Sequence, residues 1–250
     1  DVASGEQAAR LAGGSTEVRK LDLADLSSVR AFADGWSGDL DVLINNAGVA
    51  MVPQARTADG FELQFGTNHL GHFALTNLLL PHLTGRVVTL ASGAHRAGTI
   101  HFGDLDLSRT GYGLVKAYGQ SKLANLLFVL ELQRRLEAAG SRLRSQAAHP
   151  GYAATNLGTH GRNRVLVAAV HLAGRVLAQS SEQGALPTLY AATQELPGAS
   201  YVGPDGRGEL WGYPTLVGRS AQASDVAAAR RLWDVSEKLT GVTFPLPARA

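Results

Sequence analysis

The chain has 250 residues, a length that suits one large domain better than two small ones. With 45% hydrophobic and 18% charged residues it can bury a sizeable core, which excludes disorder. It has no cysteine, which excludes disulfides, thiolate metal sites and a cysteine nucleophile, and its formal net charge of +2 comes without a Lys/Arg cluster, which argues against a nucleic-acid partner.

The chain opens with Asp1 rather than Met, and Asp1-Val-Ala-Ser-Gly-Glu6 is neither a signal peptide nor a transit peptide, so residues upstream are expected to be missing. Ser4–Leu11 reads as a helix stopped by Gly13-Gly14. Glu17–Leu23 is a short strand candidate, and Ser27–Trp36 a helix capped by serine. Leu40–Asn45 is a brief apolar run closed by Asn46-Ala-Gly48, the pattern of a buried parallel strand. A long amphipathic stretch follows over Phe61–Leu83. It lies within Leu63–Gly85, which lacks Asp, Glu, Lys and Arg but is interrupted by Asn68, His69, His72, Asn77, Pro81 and His82.

Arg86–Ala91 is the next buried strand, Gly93–Gly113 a loop, and Leu114–Ala139 a helix with a stripe through Leu123, Leu127, Leu130 and Leu136. Arg144–His149 is a strand broken by Pro150-Gly151, Gln183–Ala192 a helix, Ser200–Val202 a last strand and Ser224–Leu239 a closing helix. The apolar run Val165–Ala173 falls well short of the roughly 20 residues a membrane-spanning helix needs. Such alternation predicts an α/β doubly wound, Rossmann-like parallel sheet, in which ligands bind beyond the carboxyl ends of the strands. The residues to inspect are therefore Asp22-Leu23, Asn45-Asn46-Ala47-Gly48, Ser92 and His149-Pro150-Gly151.

Tyr118-Gly-Gln-Ser-Lys122 is the sharpest chemical feature. Tyr and Lys four apart on a helix share one face, about 5–6 Å apart at their β-carbons. A free phenol with a pKa about 10 is a poor acid or base near neutrality, and a neighbouring ammonium would lower it into use. Ser92, at a strand end, is placed to donate its hydroxyl to an oxygen where negative charge develops. Asn68 is positioned for its amide to hold a water that relays the proton. His69 and His72 lack a nearby third ligand, so no metal is expected. Trp211 and Trp233 read as packing residues, and Arg230-Arg231 as a solvated helix face.

In this order, Asn45-Asn-Ala-Gly48, Asn68, Ser92, Tyr118-x-x-x-Lys122 and Pro150-Gly151 resemble the short-chain dehydrogenase/reductase family. Thr67-Asn-His-Leu-Gly-His-Phe73, Ser121-Lys-Leu-Ala-Asn125, His149-Pro-Gly151 and Leu232–Gly241 resemble its retinol-dehydrogenase-like branch. The resemblance implies that Tyr118 is the general acid/base, that Lys122 holds the nicotinamide ribose and lowers the Tyr118 pKa, that Ser92 orients the substrate oxygen and that Asn68 supports the relay. It implies adenine contacts at Asp22 and Leu23, a lining of the cofactor's adenosine side at Asn45, Asn46, Ala47 and Gly48, and brackets on the nicotinamide and its phosphate at Pro150, Gly151 and Thr155.

The implied activity is hydride transfer between a nicotinamide cofactor and an alcohol/carbonyl pair. NADP is the expected cofactor and NAD the other choice; the cytoplasm is the expected compartment, and a homodimer is among the assemblies the resemblance allows. The alternatives are a carbon–carbon double-bond reductase of the protochlorophyllide-reductase type and a silent remnant unable to bind cofactor. The substrate is expected to be lipophilic, because the segment Asn156 to Ser181, the family's substrate lid, holds the apolar run Val165–Ala173.

The family's first strand, its Gly-rich phosphate turn and most of its second strand have no counterpart here, and neither Gly111-x-Gly113 nor Gly203-Pro-Asp-Gly206 sits in the strand–turn–helix context that would replace that turn. In the 3-2-1-4-5-6 strand order, this would leave the Glu17–Leu23 strand without a neighbour. The chain is thus expected to be a single domain that is a fragment, the product of a truncated gene model, or one whose start went unrecorded.

Overall fold

The computed structural model describes residues 2–151 and 180–247. Among them, five strands form one sheet in the order β1 (Leu40–Asn45), β2 (Leu83–Leu90), β3 (Arg144–Ala148), β4 (Tyr201–Pro204) and β5 (Pro214–Leu216). The first four are parallel and β5 returns antiparallel to β4. The register sets Asn45 beside Thr89 and Leu90 beside Ala148, so β1, β2 and β3 all end on one edge.

The helices are α1 (Val2–Ala12), α2 (Leu26–Asp34), α3 (Leu63–Phe65), α4 (Gly71–Leu79), α5 (Leu114–Ala138), α6 (Ser181–Thr193) and α7 (Val226–Thr240). Alternate residues of β2 and β3 point to opposite faces. Val87 and Ala147 meet α5 and α7 in the larger core, and Val88 and Ala148 meet α6 on the other side. Burial on both faces explains the apolar pair Val87-Val88 of β2, whereas β3 buries Ser145 and Gln146 along with Ala147 and Ala148, the Gln146 amide donating to the Leu196 carbonyl at 3.3 Å. The fold is therefore the expected α/β sheet with helices on both faces.

The larger core centres on Trp233 of α7, which is 1% exposed. Its ring stacks on Phe128 of α5 at 5.7 Å and meets Phe73 of α4 edge-on at 4.8 Å, while its indole nitrogen donates to Glu237 at 2.8 Å. Trp233→Ala removes this keystone and is expected to cost about 3–5 kcal/mol, read as a lower urea midpoint.

Several elements differ from the sequence reading. Glu17–Leu23 is not a strand: among the described residues β1 is the sheet's outer strand and no ladder joins this segment to it, while the Asp22 amide donates to the Ser28 hydroxyl at 2.9 Å and the Asp22 carbonyl accepts from the Asp25 amide at 3.3 Å. Helix α2 is capped by Asp25, not Ser27; its carboxylate accepts from the amides of Ser27 and Ser28. The Phe61–Leu83 stretch is helical from Leu63, but it widens into a π-helical segment at Gly66–Leu70 and tightens into a 3-10 turn at Leu80–His82. A 3-10 turn, Gly93–Ala97, opens the Gly93–Gly113 loop, and β5 was not foreseen. The Gly203–Gly206 stretch lies in the β4–β5 hairpin and leads into a single 3-10 turn. Thr155 and the lid segment up to residue 179 lie outside the described residues.

Candidate active site

Three parallel strands deliver their last residues to one edge, and α5 begins there before running back along the sheet, from Lys122 at the Leu90 carbonyl to Gln133, whose side-chain oxygen accepts from the Ser145 amide at the start of β3. Beyond β1 comes Asn46-Ala47-Gly48, beyond β2 comes Ser92, and beyond β3 comes His149-Pro150-Gly151. Ser92 has extended backbone and caps the 3-10 turn Gly93–Ala97, its hydroxyl oxygen accepting from the Ala94 amide at 3.2 Å.

Tyr118 and Lys122 sit in the second and third turns of α5. The Lys122 ammonium is buried, stands 5.8 Å from the centre of the Tyr118 ring and donates to the Leu90 carbonyl at 3.1 Å. Burial pulls its pKa down to about 8, so it is mostly charged at neutral pH. The Tyr118 phenol is pushed up by burial, opposed only by its interaction with the Ser92 hydroxyl. The expected lowering of this phenol by Lys122 is thus not what the arrangement produces. The ammonium is aimed at the end of β2, where Asn125 also donates to the Leu90 carbonyl at 2.9 Å.

Asn68 lies in the π-helical segment, and its side chain is fully engaged. Its oxygen accepts from the Val49 amide at 2.8 Å, and its nitrogen donates to the Val49 carbonyl at 2.8 Å and to the Ser121 hydroxyl at 2.9 Å. Ser121 in turn donates to the Tyr118 carbonyl at 2.8 Å. The amide therefore clamps the loop after β1 to the helix that carries Tyr118, and both of its N–H groups are committed to that clamp. Its own carbonyl accepts from the His72 ring at 3.0 Å.

Gly48 shows why this loop approaches so closely. A β-carbon there would lie 2.9 Å from the Asn68 side-chain oxygen and 3.6 Å from the Lys122 nitrogen. Gly48→Ala is expected to break the Asn68 clamp and cost about 1–3 kcal/mol, because a buried polar group loses its partner. Chemical denaturation of the purified variant checks it.

Not every expected cofactor residue faces the edge. Asn45 is turned into the core, where its nitrogen donates to Thr76 at 2.9 Å and to Thr89 at 3.3 Å; it fastens β1 to α4 and β2 instead of lining the ligand side. Asn46 and Ala47 are exposed on that side and Gly48 half-buried. The Leu23 side chain packs into the smaller core with Val29 and Leu75, whereas Asp22 is exposed and accepts from the Ala24 amide. Gly151 has φ 68°, and a β-carbon on it would strike the Leu210 carbonyl at 2.5 Å, so only glycine fits this turn.

Ser121, Asn125 and His149 were quoted in the motifs without a role. The spacing of Lys122 and Asn125, three apart on one helix face, is a signal that could have shown their common target. His69, between Phe65 and Phe73, bonds Ser236 of α7 at 2.8 Å, so the two histidines serve separate partners.

The comparisons with known proteins agree with this geometry. The family described as short chain dehydrogenase matches residues 2–165. Human retinol dehydrogenase 14 is 42% identical over 240 residues, covering 92% of this chain and 68% of its own length. Human retinol dehydrogenase 13 is 41% identical over 261 residues, with 98% and 76% covered. A crystal structure of an uncharacterised protein from Mycobacterium paratuberculosis superposes with a TM-score of 0.85 at 56% identity, covering 98% of this chain and 83% of that one. The Pseudomonas aeruginosa RhlG/NADP complex, at 23% identity and a TM-score of 0.59, shares the fold.

This chain belongs to the short-chain dehydrogenase family. It is an oxidoreductase dependent on a nicotinamide cofactor. The residues fit the nicotinamide half of such a group. Gly48 leaves room beside the Lys122 ammonium, and half-buried Ser92 and Tyr118 stand at the same edge. Among the described residues, no glycine-rich turn joins a parallel strand to an α-helix there.

Proposed function

We propose that this short-chain dehydrogenase interconverts a lipophilic alcohol and its carbonyl with NADP(H), using Tyr118 as general acid/base. The observation that carries the reading is the meeting of Ser92, Tyr118 and Lys122 beyond the ends of β1 and β2, beside a glycine that keeps the edge open.

The nicotinamide, when bound, supplies or accepts the hydride. The chain's own residues handle the proton and the charge. In carbonyl reduction, the Tyr118 hydroxyl gives its proton to the substrate oxygen, and the Ser92 hydroxyl donates a hydrogen bond to the same oxygen as it becomes negative. The Lys122 ammonium, anchored at the Leu90 carbonyl beside Gly48, would hold the nicotinamide ribose. In alcohol oxidation the proton moves the opposite way.

Two observations favour a lipophilic substrate. Two of the related proteins are named retinol dehydrogenases, which favours an alcohol/carbonyl pair over a carbon–carbon double bond. In addition, the hairpin beside Gly151 exposes Leu210 and Trp211, 45% and 43% accessible, an apolar rim that suits an apolar body. The preference for NADP(H) follows the branch resemblance. No helix among the described residues is long and apolar enough to cross a membrane.

The test pairs fluorescence titrations of NADPH and NADH with a carbonyl substrate panel. The expected result is tighter NADPH binding and higher kcat/KM for long apolar aldehydes than for short polar ones. The reverse order in the panel would overturn the substrate reading, and absence of binding by either cofactor would overturn the reaction.

A further inference from the structure

His149 follows β3 and fills a gap that only a glycine partner allows: a β-carbon on Gly203 of β4 would lie 2.1 Å from its Nε2. The ring packs 5.1 Å from that of Tyr201. Its Nδ1 accepts from the Gly151 amide at 3.2 Å. A ring nitrogen that accepts carries no proton, so the neutral ring is protonated at Nε2. Burial keeps it neutral by pulling its pKa down to about 4.

Nε2 faces Glu209 Oε2 at 3.2 Å, although its N–H is not aimed squarely enough for a hydrogen bond, and no other described atom partners it. Glu209 Oε1 accepts from Arg96 at 2.9 Å, and Arg96 also donates to the Gly218 carbonyl at 2.8 Å. Arg96 belongs to the 3-10 turn capped by Ser92, whose carbonyl accepts from the His95 ring at 2.7 Å.

Glu209 itself is held in the left-handed region, φ 59°, directly after Gly208 at φ 67°. A non-glycine residue keeps that conformation only where its surroundings fix it. An exposed ion pair with Arg96 would be a weak reason alone. Glu209 also reaches both turns at the edge, one by its ion pair with Arg96 and the other by close approach of its second oxygen to the His149 ring, which is a better one.

We propose that Glu209 is a positioning residue that spans the Ser92 turn, through Arg96, and the Pro150–Gly151 turn, through His149, and so fixes the spacing between the substrate oxygen and the nicotinamide. The inference rests on the nicotinamide reading of the site. It assigns Glu209 no contact with the reacting atoms.

Two measurements on the intact chain test it. The first needs no cofactor: amide exchange at Gly151 is expected to quicken roughly tenfold in Glu209→Ala and in His149→Phe, while the amide of Val88 in β2 stays protected. The second compares NADPH with ADP-ribose 2′-phosphate, which lacks the nicotinamide. Glu209→Ala is expected to weaken NADPH roughly tenfold and leave the fragment unchanged, with Glu209→Gln closer to the parent protein. Arg96→Met, which frees one end only and leaves His149 in place, covers the case in which an alanine variant does not fold. Unchanged exchange at Gly151, equal loss of both ligands, or a glutamine no better than alanine would each overturn the proposal. If the parent protein binds no nicotinamide cofactor, the functional reading falls, and the exchange measurement still decides whether Glu209 holds the turn.

Discussion

Replacing Tyr118 with phenylalanine is expected to lower turnover about 10²–10⁴-fold while cofactor binding persists, because only the proton-carrying oxygen is lost. The ring keeps its place on α5, and Lys122 keeps its bond to the Leu90 carbonyl. The direction of the phenol's shift adds a second signature. Burial raises its pKa, so the hydroxyl stays protonated at neutral pH and is ready as an acid. Carbonyl reduction should therefore hold its rate across neutrality and fall only in alkali, while alcohol oxidation, which needs the phenolate, should rise with pH. Steady-state rates in both directions for the parent protein and the variant check this. Activity near that of the parent in Tyr118→Phe would remove the residue from the reaction.

Acidification is expected to unfold the protein well above the range where carboxylates titrate. His69, His72 and His149 are buried, and burial pulls their pKa values down to about 3, about 4 and about 4. Their unfolded values lie about 6.5. Between these limits the unfolded chain binds protons that the folded one refuses, so stability present above pH about 6.5 is lost as pH falls. Each group contributes about 1.4 kcal/mol per pH unit, so three together remove roughly 6 kcal/mol by about pH 5. That is comparable with the whole stability of an ordinary domain, about 5–15 kcal/mol. Urea midpoints measured from neutral to acid pH should fall steeply over this window, and His72→Gln should flatten the slope by about a third. An unchanged slope in that variant would break the attribution.

What could be read from sequence was what depends on local pattern or on burial from both sides. Leu40–Asn45 and the Val87–Leu90 half of β2 show as short, largely apolar runs, and Ser92, Tyr118 and Lys122 stand out in the segments that follow β2. Glu17–Leu23 has strand composition, yet a strand exists only with a neighbour, and composition does not report neighbours. Strand β5 is three residues long, begins with Pro214 and is partly exposed, so it carries no period to detect. The inward turn of Asn45 and the clamp made by Asn68 were both beyond what local pattern shows. Their partners, Thr76 and Val49, are 31 and 19 residues away, and side-chain direction at such range is set by packing. Glu209 meets Arg96 across 113 residues, a pairing no spacing rule contains.

The π-helical segment Gly66–Leu70 bears on how this stretch of chain can change. A π turn holds one residue more than the α-helical path needs, and such turns recur at functional sites. Losing a single residue here would let the helix close into regular α form with Leu63–Phe65 and α4 still in phase, because the turn already carries that residue in excess. The same loss within α4 would turn everything before it by about 100°. What the wider turn supports is the reach of Asn68 to Val49 and Ser121, so shortening the bulge would spare the aromatic core and release the clamp.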